Sequence, residues 1–385
     1  MKTLHCVHFE DSRRMEAVKD GSVELVVTSP PYPMIEMWDE MFATQDPDIR
    51  QDLSRGFGQA AFEKMHQLLD PVWAETRRVL RPGGIACINI GDAVRTVAGD
   101  FQLYPNHARI LSCLLSLGFS PLPMILWRKQ TNAPNKFMGS GMLAPGAYVT
   151  LEHEYILIVR KGGKREFVTP VEKEARAQSA FFWEERNAWF SDVWTDLKGT
   201  SQLLEEGGPR GRSAAFPFEL AYRLVNMFSV KHDHVLDPFT GSGTTMLAAM
   251  ASCRNFAGFE LEKGFSTHME LRLAGFAGVA NAYIRQRLAR HMEFVAQRQE
   301  SKSGFKYANK PYGFPVMTRQ ETGLIFNDLL SITKDNAGFW VDYSIIPQAE
   351  FRSAAPEVLD LGETVPLPRP KPRKPKSPAQ LQLFE

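Results

Sequence analysis

Residues 235–251 read VLDPFTGSGTTMLAAMA, and they point to the fold class because a strand, a loop and a helix follow one another directly. Val235 and Leu236, followed by Asp237, predict a short strand, and residues 246–251 predict a helix. Between them, Gly241 and Gly243 let the backbone turn tightly and approach a ligand that any Cβ would displace. Open α/β sheets bind nucleotides at such a strand-to-helix turn, so the stretch predicts an α/β fold with a ligand site here.

The ligand that this loop predicts is an adenosyl group without a pyrophosphate. Position 246 is Met, so the third glycine of the dinucleotide fingerprint is missing, and no Lys follows the glycines as in a Walker loop. Glu260 lies close to the interval of about 20 residues after Asp237 at which an acidic group meets ribose hydroxyls. S-adenosylmethionine fits, with Glu260 on the ribose diol and Asp237 near the positively charged methionine end. For the glycines taken alone, a plain strand-to-helix turn is the alternative.

Strands and helices alternate through much of the chain, which predicts a mainly parallel sheet with helices on both faces. The further strands are predicted at 24–28, 85–90, 123–127, 154–159 and 256–260. The further helices are predicted at 60–80, 107–117, 220–228 and 264–298. We expect strands 123–127 and 154–159 to pair as an antiparallel hairpin that closes the sheet.

A second informative stretch, Thr28-Ser29-Pro30-Pro31-Tyr32, follows the apolar run 23–27. Its two prolines remove two backbone N–H groups and force their predecessors toward extended geometry. Ser29 and Pro30 therefore present hydroxyl and carbonyl acceptors beside an aromatic ring, which suits an amino group on a flat base. For the pentapeptide taken alone, a proline-rich loop is the alternative.

Composition bounds the class of protein. A chain of 385 residues with 44% hydrophobic residues can form one large domain or two ordinary ones with a real core. We expect a cytoplasmic protein with no membrane segment, since no signal-peptide centre and no bilayer-spanning apolar run is present. Four scattered cysteines indicate neither a disulfide framework nor a metal site. The net charge of +1 excludes no polyanionic partner, and basic residues gather at 128–136, 161–165 and 210–212, where phosphate contacts are expected.

The order of these features predicts five segments. Residues 1–130 carry the half of an α/β domain that contains the stretch 28–32, and residues 211–265 carry its cofactor-binding half. Residues 131–210 mix Asn, Pro, Gly, aromatic and basic residues and are predicted to contain the hairpin and a target-recognition region. A helical extension of unassigned role follows at 266–351. Residues 352–385 form a Pro-rich basic tail that cannot bury enough apolar surface to fold.

Together, the two stretches resemble those of the amino-methylating DNA methyltransferases, the N4-cytosine and N6-adenine enzymes, in the permuted order that puts the catalytic motif first. Ser29-Pro30-Pro31-Tyr32 is similar to their catalytic tetrapeptide, and the similarity extends to about residue 265. It implies that residues 1–130 are the catalytic half of a methyltransferase domain and residues 211–265 its cofactor-binding half. Residues 213–215 depart from the family, in which many members carry His and Lys before the proline. The resemblance implies cofactor contacts at Asp11, near the adenine, at Phe216 and Pro217, on the methionine side, and at Asp237, Pro238, Phe239, Gly241, Gly243, Thr244, Thr245 and Glu260.

The resemblance also implies a Rossmann-like, S-adenosylmethionine-dependent methyltransferase that acts on an exocyclic amino group of double-stranded DNA. The target base must leave the helix to reach the site. We expect the Ser29 hydroxyl and the Pro30 carbonyl to accept hydrogen bonds from that amino group, and Tyr32 to stack on the base. Serine at the first position of the tetrapeptide resembles the N4-cytosine enzymes, and the expected setting is a restriction-modification system.

Three alternatives stay open: an N6-adenine DNA methyltransferase, an RNA substrate, and a catalytically silent nucleic-acid-binding module. A homodimer, and a cognate restriction endonuclease that shares the DNA site without being bound, are further partners to test. Ring-carbon methylation is excluded, because the family that performs it uses a Pro-Cys pair. The four cysteines of this chain follow His5, Ala86, Ser112 and Ser252.

Overall fold

The computed structural model describes residues 1–129, 138–198, 216–301 and 304–352. Its strands are β1 Lys2–His8, β2 Val23–Thr28, β3 Leu80–Ile90, β4 Ala93–Val97, β5 Asp100–Tyr104, β6 Phe119–Pro121, β7 Ile125–Arg128, β8 Met138–Gly139, β9 Ala147–Tyr148, β10 His153–Lys161, β11 Val193–Trp194, β12 His234–Asp237, β13 Asn255–Phe259, β14 Tyr307–Ala308, β15 Pro315–Val316, β16 Leu329–Asp335 and β17 Gly338–Tyr343. Its helices are α1 Asp39–Gln45, α2 Asp48–Ser54, α3 Gly58–Val79, α4 Asn106–Ser116, α5 Pro170–Gln178, α6 Trp183–Trp189, α7 Phe218–Phe228, α8 Thr244–Ala251, α9 Phe265–Leu273 and α10 Phe276–Glu300.

One large sheet has the strand order β11-β7-β10-β3-β2-β12-β13-β1-β17-β16. The neighbours from β3 to β1 are all parallel, whereas β10 runs antiparallel to β3 and β17 runs antiparallel to β1. The predicted α/β fold with a mainly parallel sheet is confirmed. Strands β7 and β10 pair antiparallel as predicted, but they do not close the sheet, because β11 adds to it beside β7.

Strand β2 is buried on both faces, which explains its apolar run. Leu25 and Val27 belong to the hydrophobic core formed with α7 and α8 on one face. Val26 belongs to the core formed with α3 and α4 on the other face. A parallel strand covered by helices on both sides needs apolar residues at successive positions, because successive side chains point to opposite faces.

The prediction of a helical extension after residue 265 is only partly correct. Helices α9 and α10 are present, but β16 and β17 follow them and extend the sheet beyond β1. A third hydrophobic cluster joins the second half of the extension to α6 and α10 through Phe182, Ile284, Leu288, Tyr312, Phe314, Val316, Leu324 and Phe326. The strands escaped prediction because β17 finds its partner at the opposite end of the chain.

Several predictions fall outside the described residues. They concern the basic residues at Lys136 and 210–212, the departure from the family at 213–215 and the tail from residue 353 onward. None of the described helices has both the length and the apolar composition of a membrane span.

A buried ion pair attaches α10 to the rest of the fold. Arg287 is 3% exposed and donates to both carboxylate oxygens of Glu185 in α6 at 2.6 Å. It also donates to the hydroxyl of Tyr222 in α7 at 2.7 Å. One side chain therefore links three helices.

Replacing Arg287 with Met should lower the free energy of unfolding by about 3–5 kcal/mol, because Glu185 would keep a largely buried charge without its partner. Urea denaturation followed by circular dichroism measures the change. Arg290→Met, at an exposed position of the same helix, is the matched control and should change the free energy of unfolding by less than about 0.5 kcal/mol. Equal losses in the two variants would contradict the anchoring role of Arg287.

Candidate active site

The carboxyl ends of the parallel strands bring the predicted site residues to one edge of the sheet. Strand β2 ends at Thr28, β12 at Asp237 and β13 at Phe259, so Ser29, Pro238 and Glu260 follow directly at this edge. Because β2 and β12 are neighbours, the predicted catalytic stretch, residues 28–32, lies beside the predicted cofactor loop, residues 237–245. Ligands of open α/β sheets bind at this edge.

A cavity at this edge is lined by most of the predicted residues. They are Asp11, Ser29, Pro30, Pro31, Phe216, Asp237, Pro238, Phe239, Gly241, Thr244 and Glu260. The lining does not include Tyr32, Pro217, Gly243 and Thr245. Trp38, Leu69, Val72, Phe259 and Phe265 also line the cavity, although the sequence analysis did not select them. The two predicted halves of the site thus share one cavity.

Asp237 joins the catalytic strand to the cofactor loop. Its Oδ1 accepts hydrogen bonds from Thr28 Oγ1 at 2.6 Å and from the Phe239 N–H at 3.0 Å. Its Oδ2 accepts one from Thr245 Oγ1 at 2.7 Å. Asp237 is 2% exposed, and this burial raises the pKa of its carboxyl group to about 6. Its predicted position near the methionine end of the cofactor stays a prediction, but its hydrogen bonds give it a structural task in the loop.

The loop between β12 and α8 is held by a glycine conformation and by Glu260. Gly243 precedes α8 with a φ of +82°, in the left-handed region that favours glycine. Glu260 accepts the Gly241 N–H on Oε2 and the Glu262 N–H on Oε1, each at 2.9 Å. A carboxylate has about four acceptor positions, so Glu260 can also accept from hydroxyl groups of a ligand.

The lining of the cavity fits an adenosyl group better than a dinucleotide. Phe216, Phe239 and Phe259 supply aromatic surface of the kind that packs on a purine. Arg13 is the only cation among the described lining residues, and its Nε donates to Asp11 Oδ2 at 2.8 Å. A pyrophosphate needs cationic or N–H donors that are free to meet it. S-adenosylmethionine, which has no phosphate, therefore fits the residues present.

Tyr32 is anchored by two residues that the sequence analysis missed, Asn89 and Glu154. The Tyr32 hydroxyl accepts from Asn89 Nδ2 at 2.8 Å and donates to Glu154 Oε2 at 3.0 Å. Ser29 Oγ donates to the same hydroxyl at 3.1 Å. Burial and the nearby Glu154 raise the pKa of Tyr32 well above its usual range, so Tyr32 stays a phenol. Asn89 and Glu154 interrupt the apolar strands β3 and β10, and this interruption is the sequence signal that could have found them.

Three other polar residues lie outside the lining of the cavity. Asp92 follows the strand predicted at 85–90, where the sequence allows either a pocket residue or a helix cap. It accepts the backbone N–H of His107 in the first turn of α4 at 3.0 Å, as a capping side chain does, although the N-cap position itself is Pro105. Lys161 donates to the Leu80 carbonyl at 2.6 Å, and Arg165 pairs with Asp233. These two basic residues belong to the opposite edge of the sheet, so they do not lie beside the cavity, and their phosphate contacts stay a prediction.

Comparison with known proteins assigns the family. A family model described as DNA methylase, covering N6 and N4 methylases, matches residues 23–270, which is more than half of the chain. The chain belongs to this DNA methylase family. The match includes both the catalytic stretch and the cofactor loop of the methylase.

Known proteins are similar to this methylase over most of its length. The Type II methyltransferase M.MthZI of Methanothermobacter thermautotrophicus is 51% identical over 322 residues, which are 83% of this chain and 89% of that protein. The Type II methyltransferase M.MjaI of Methanocaldococcus jannaschii is 47% identical over 284 residues, 70% of this chain and 91% of that protein. The solved structure of TTHA0409 from Thermus thermophilus, complexed with S-adenosyl-L-methionine, is 34% identical, covers 71% of this chain and 93% of that chain, and has a TM-score of 0.55.

These similarities confirm the predicted amino-methyltransferase family and its Rossmann-like fold. At the level of the family, they also confirm S-adenosylmethionine as the cofactor. The family includes both N6 and N4 methylases, so membership alone does not choose between adenine and cytosine.

Replacing Asp237 with Asn should change how the stability of the methylase depends on pH. Because the folded state raises the pKa of Asp237 to about 6, wild-type stability falls as pH rises through about 6, and the Asn variant lacks this loss. Between pH 4 and pH 8 the variant should therefore gain about 2–3 kcal/mol of unfolding free energy relative to wild type. Urea denaturation at both pH values measures this difference.

Asn can keep the neighbouring hydrogen bonds, because its amide oxygen can accept from Thr28 and its amide N–H can donate to Thr245. Asp100→Asn, at the exposed first residue of β5, serves as the matched control. If the unfolding free energies of Asp237→Asn and wild type differ by the same amount at every pH, the raised pKa of Asp237 is not the cause of the difference.

Proposed function

We propose that this methylase transfers a methyl group from S-adenosylmethionine to the N4 amino group of cytosine in DNA, as the modification enzyme of a restriction-modification system. The observation that carries the proposal is that Ser29 and Pro30 line the same cavity as the cofactor loop. Serine at the head of the tetrapeptide favours cytosine. The Type II methyltransferases M.MthZI and M.MjaI, to which the chain is similar, support the restriction-modification setting.

The exocyclic nitrogen of cytosine is a poor nucleophile, because its lone pair is delocalised into the ring. Bound S-adenosylmethionine supplies an electrophilic methyl group on a sulfonium. In this proposal the Ser29 hydroxyl and the Pro30 carbonyl accept hydrogen bonds from the two amino hydrogens, which localises the nitrogen lone pair and points it toward the cofactor loop. The N–CH₃ bond would form as the S–CH₃ bond breaks, S-adenosylhomocysteine would leave, and the methylated nitrogen would release one proton to solvent. Pro31 keeps this acceptor geometry rigid, and Tyr32 lies against the base.

The cofactor contacts divide between the two sides of the cavity. We assign the ribose diol to Glu260 and the adenine side to Asp11, with Phe239 and Phe259 as apolar walls. Phe216 covers the methionine side. Gly241 and Gly243 let the loop approach the ligand, while Thr244 and Thr245 begin α8 beside it, and Pro238 and Pro217 set the backbone at the two ends.

The DNA must deliver its target base out of the helix, because a stacked base cannot reach a cavity at the edge of a sheet. Arg128 and Lys129, at the carboxyl end of β7, lie at the same edge as the cavity, since Arg128 pairs with His153 at the start of β10. Both are substantially exposed, with 56% and 46% of the side chain accessible. We assign these two residues to phosphate contacts that hold the DNA in place.

Ser29→Ala should reduce methyl transfer by at least about 100-fold while leaving S-adenosylmethionine binding within about twofold, because it removes an acceptor that acts on the base alone. Transfer is measured with radiolabelled cofactor on host-derived DNA, and the product is identified by nucleoside digestion. N4-methylcytosine supports the proposal. N6-methyladenine alone would favour the adenine alternative, methylation of RNA alone would favour the RNA alternative, and wild-type turnover of Ser29→Ala would refute the role of Ser29.

Glu260→Ala should weaken S-adenosylmethionine binding by about 10- to 100-fold, the range expected for lost hydrogen bonds to a charged group. The substitution also removes the acceptor for the Gly241 N–H, so the loop loses support. Titration calorimetry gives the dissociation constant, and Glu262→Ala, which lies two residues away and outside the cavity lining, is the control. Failure of the wild-type protein to bind S-adenosylmethionine would favour a silent nucleic-acid-binding module.

A further inference from the structure

A chain of polar side chains leads away from Ser29 behind the catalytic stretch. It runs from Ser29 through Tyr32 to Glu154, with 3.1 Å between Ser29 Oγ and Tyr32 Oη and 3.0 Å between Tyr32 Oη and Glu154 Oε2. Asn89 Nδ2 contacts Tyr32 Oη at 2.8 Å and Glu154 Oε2 at 2.7 Å. Lys129 Nζ contacts the other oxygen, Glu154 Oε1, at 2.8 Å.

The chemistry of these groups fixes the direction of each hydrogen bond. The amide nitrogen of Asn89 can only donate, so it occupies an acceptor position on the Tyr32 hydroxyl. An ionised Glu154 can only accept, so the single proton of Tyr32 points at Glu154. Tyr32 then has no proton left for Ser29, and the contact between them requires the Ser29 hydroxyl to donate.

A serine that has donated its proton presents only lone pairs in its remaining directions. Ser29 therefore faces the cavity as an acceptor, which matches an amino group and repels a carbonyl oxygen. Cytosine carries an amino group at the position where uracil carries a carbonyl. The orientation of the Ser29 proton thus distinguishes two bases of nearly the same shape.

We infer that Glu154 and Asn89 are positioning residues that orient the Ser29 proton away from the cavity and so make the site selective for an amino group. This inference rests on the proposed function of Ser29. Glu154 is 9% exposed and Asn89 is 2% exposed, so neither side chain has much water available as an alternative partner. Burial in this way makes the direction of each hydrogen bond costly to reverse.

Lys129 makes the proposed direction testable by a conservative substitution. In Glu154→Gln the amide oxygen meets the Lys129 ammonium group, which can only donate, and the amide N–H₂ then faces both Tyr32 Oη and Asn89 Nδ2. The Asn89 N–H that donates to Glu154 in wild type loses its acceptor, while the other Asn89 N–H stays on Tyr32. Tyr32 would accept from this group and turn its own proton toward Ser29. Ser29 would then point its proton into the cavity and favour a carbonyl oxygen over an amino group.

The closing experiment measures both transfer and base preference on a duplex that carries the host sequence found to be methylated. Glu154→Gln should lower kcat by about 10- to 100-fold, in the range of a buried hydrogen bond with mismatched donors. In the presence of S-adenosylhomocysteine, the ratio of affinities for the duplex with cytosine and the duplex with uracil at the target position should fall at least tenfold relative to wild type. The cost of flipping each base belongs to the DNA and cancels in this comparison.

Two further variants keep the outcome specific. Glu152 lies two residues before Glu154, and its exposed carboxylate pairs with Arg128. Glu152→Gln should leave both kcat and the base preference unchanged. The double variant Lys129→Met/Glu154→Gln lacks the ammonium group that attracts the Gln amide oxygen. The amide can then turn its oxygen toward Tyr32 and Asn89, so the double variant should recover much of the cytosine preference. Any loss of phosphate contact at Lys129 affects both duplexes equally.

The outcomes separate this inference from the proposed function. If wild type methylates cytosine but Glu154→Gln keeps the wild-type base preference, the positioning role is overturned while the function stands. If the double variant recovers none of the cytosine preference, the orientation assigned to the Gln amide through Lys129 is overturned. If wild type methylates adenine, the function as proposed fails, and hypoxanthine, which has a carbonyl in place of the amino group, replaces uracil in the same test.

Discussion

The carboxyl group of Asp237 is the point at which three separate parts of the methylase meet. Thr28 reaches it from the end of β2, Phe239 from the loop, and Thr245 from the first turn of α8. A buried carboxyl group is costly unless it is hydrogen-bonded, so these donors must stay in place for the fold to hold it. This side chain thereby reinforces the pairing of β2 with β12 at the ends of the two strands, which are far apart in the sequence.

This constraint explains why the order of the two motifs along the chain does not matter to the site. The cavity requires only that β2 and β12 lie side by side with their carboxyl ends together, and a parallel sheet provides this for any connection between them. The described strands β10, β7 and β11 of the region between the two halves, and the strands β17 and β16 of the extension after residue 265, lie toward the two ends of the sheet. Both can therefore differ in length and content without moving Ser29 relative to Glu260.

The sequence predicted the parts of this molecule that depend on local patterns. Apolar runs located the central strands, and the Gly241–Gly243 loop and the Ser29–Tyr32 stretch identified both halves of the cavity. The residues that escaped prediction are those whose role depends on distant partners, such as Glu154 beside Tyr32 and β17 beside β1. A single Glu in an apolar strand gives no sign of its partner, because the partner is set by the neighbouring strands and not by its own segment.

Two polar networks lie next to each other at the edge of the sheet and share no residue among the described contacts. One is centred on Asp237 and supports the loop between β12 and α8, and the other is centred on Tyr32 and reaches the cavity through Ser29. Their direct covalent link is the peptide between Thr28, which belongs to the first network, and Ser29, which belongs to the second. Coupling between sites is carried by contacts and shared partners, so among the described contacts the route between the two networks runs through the adjacent residues Thr28 and Ser29.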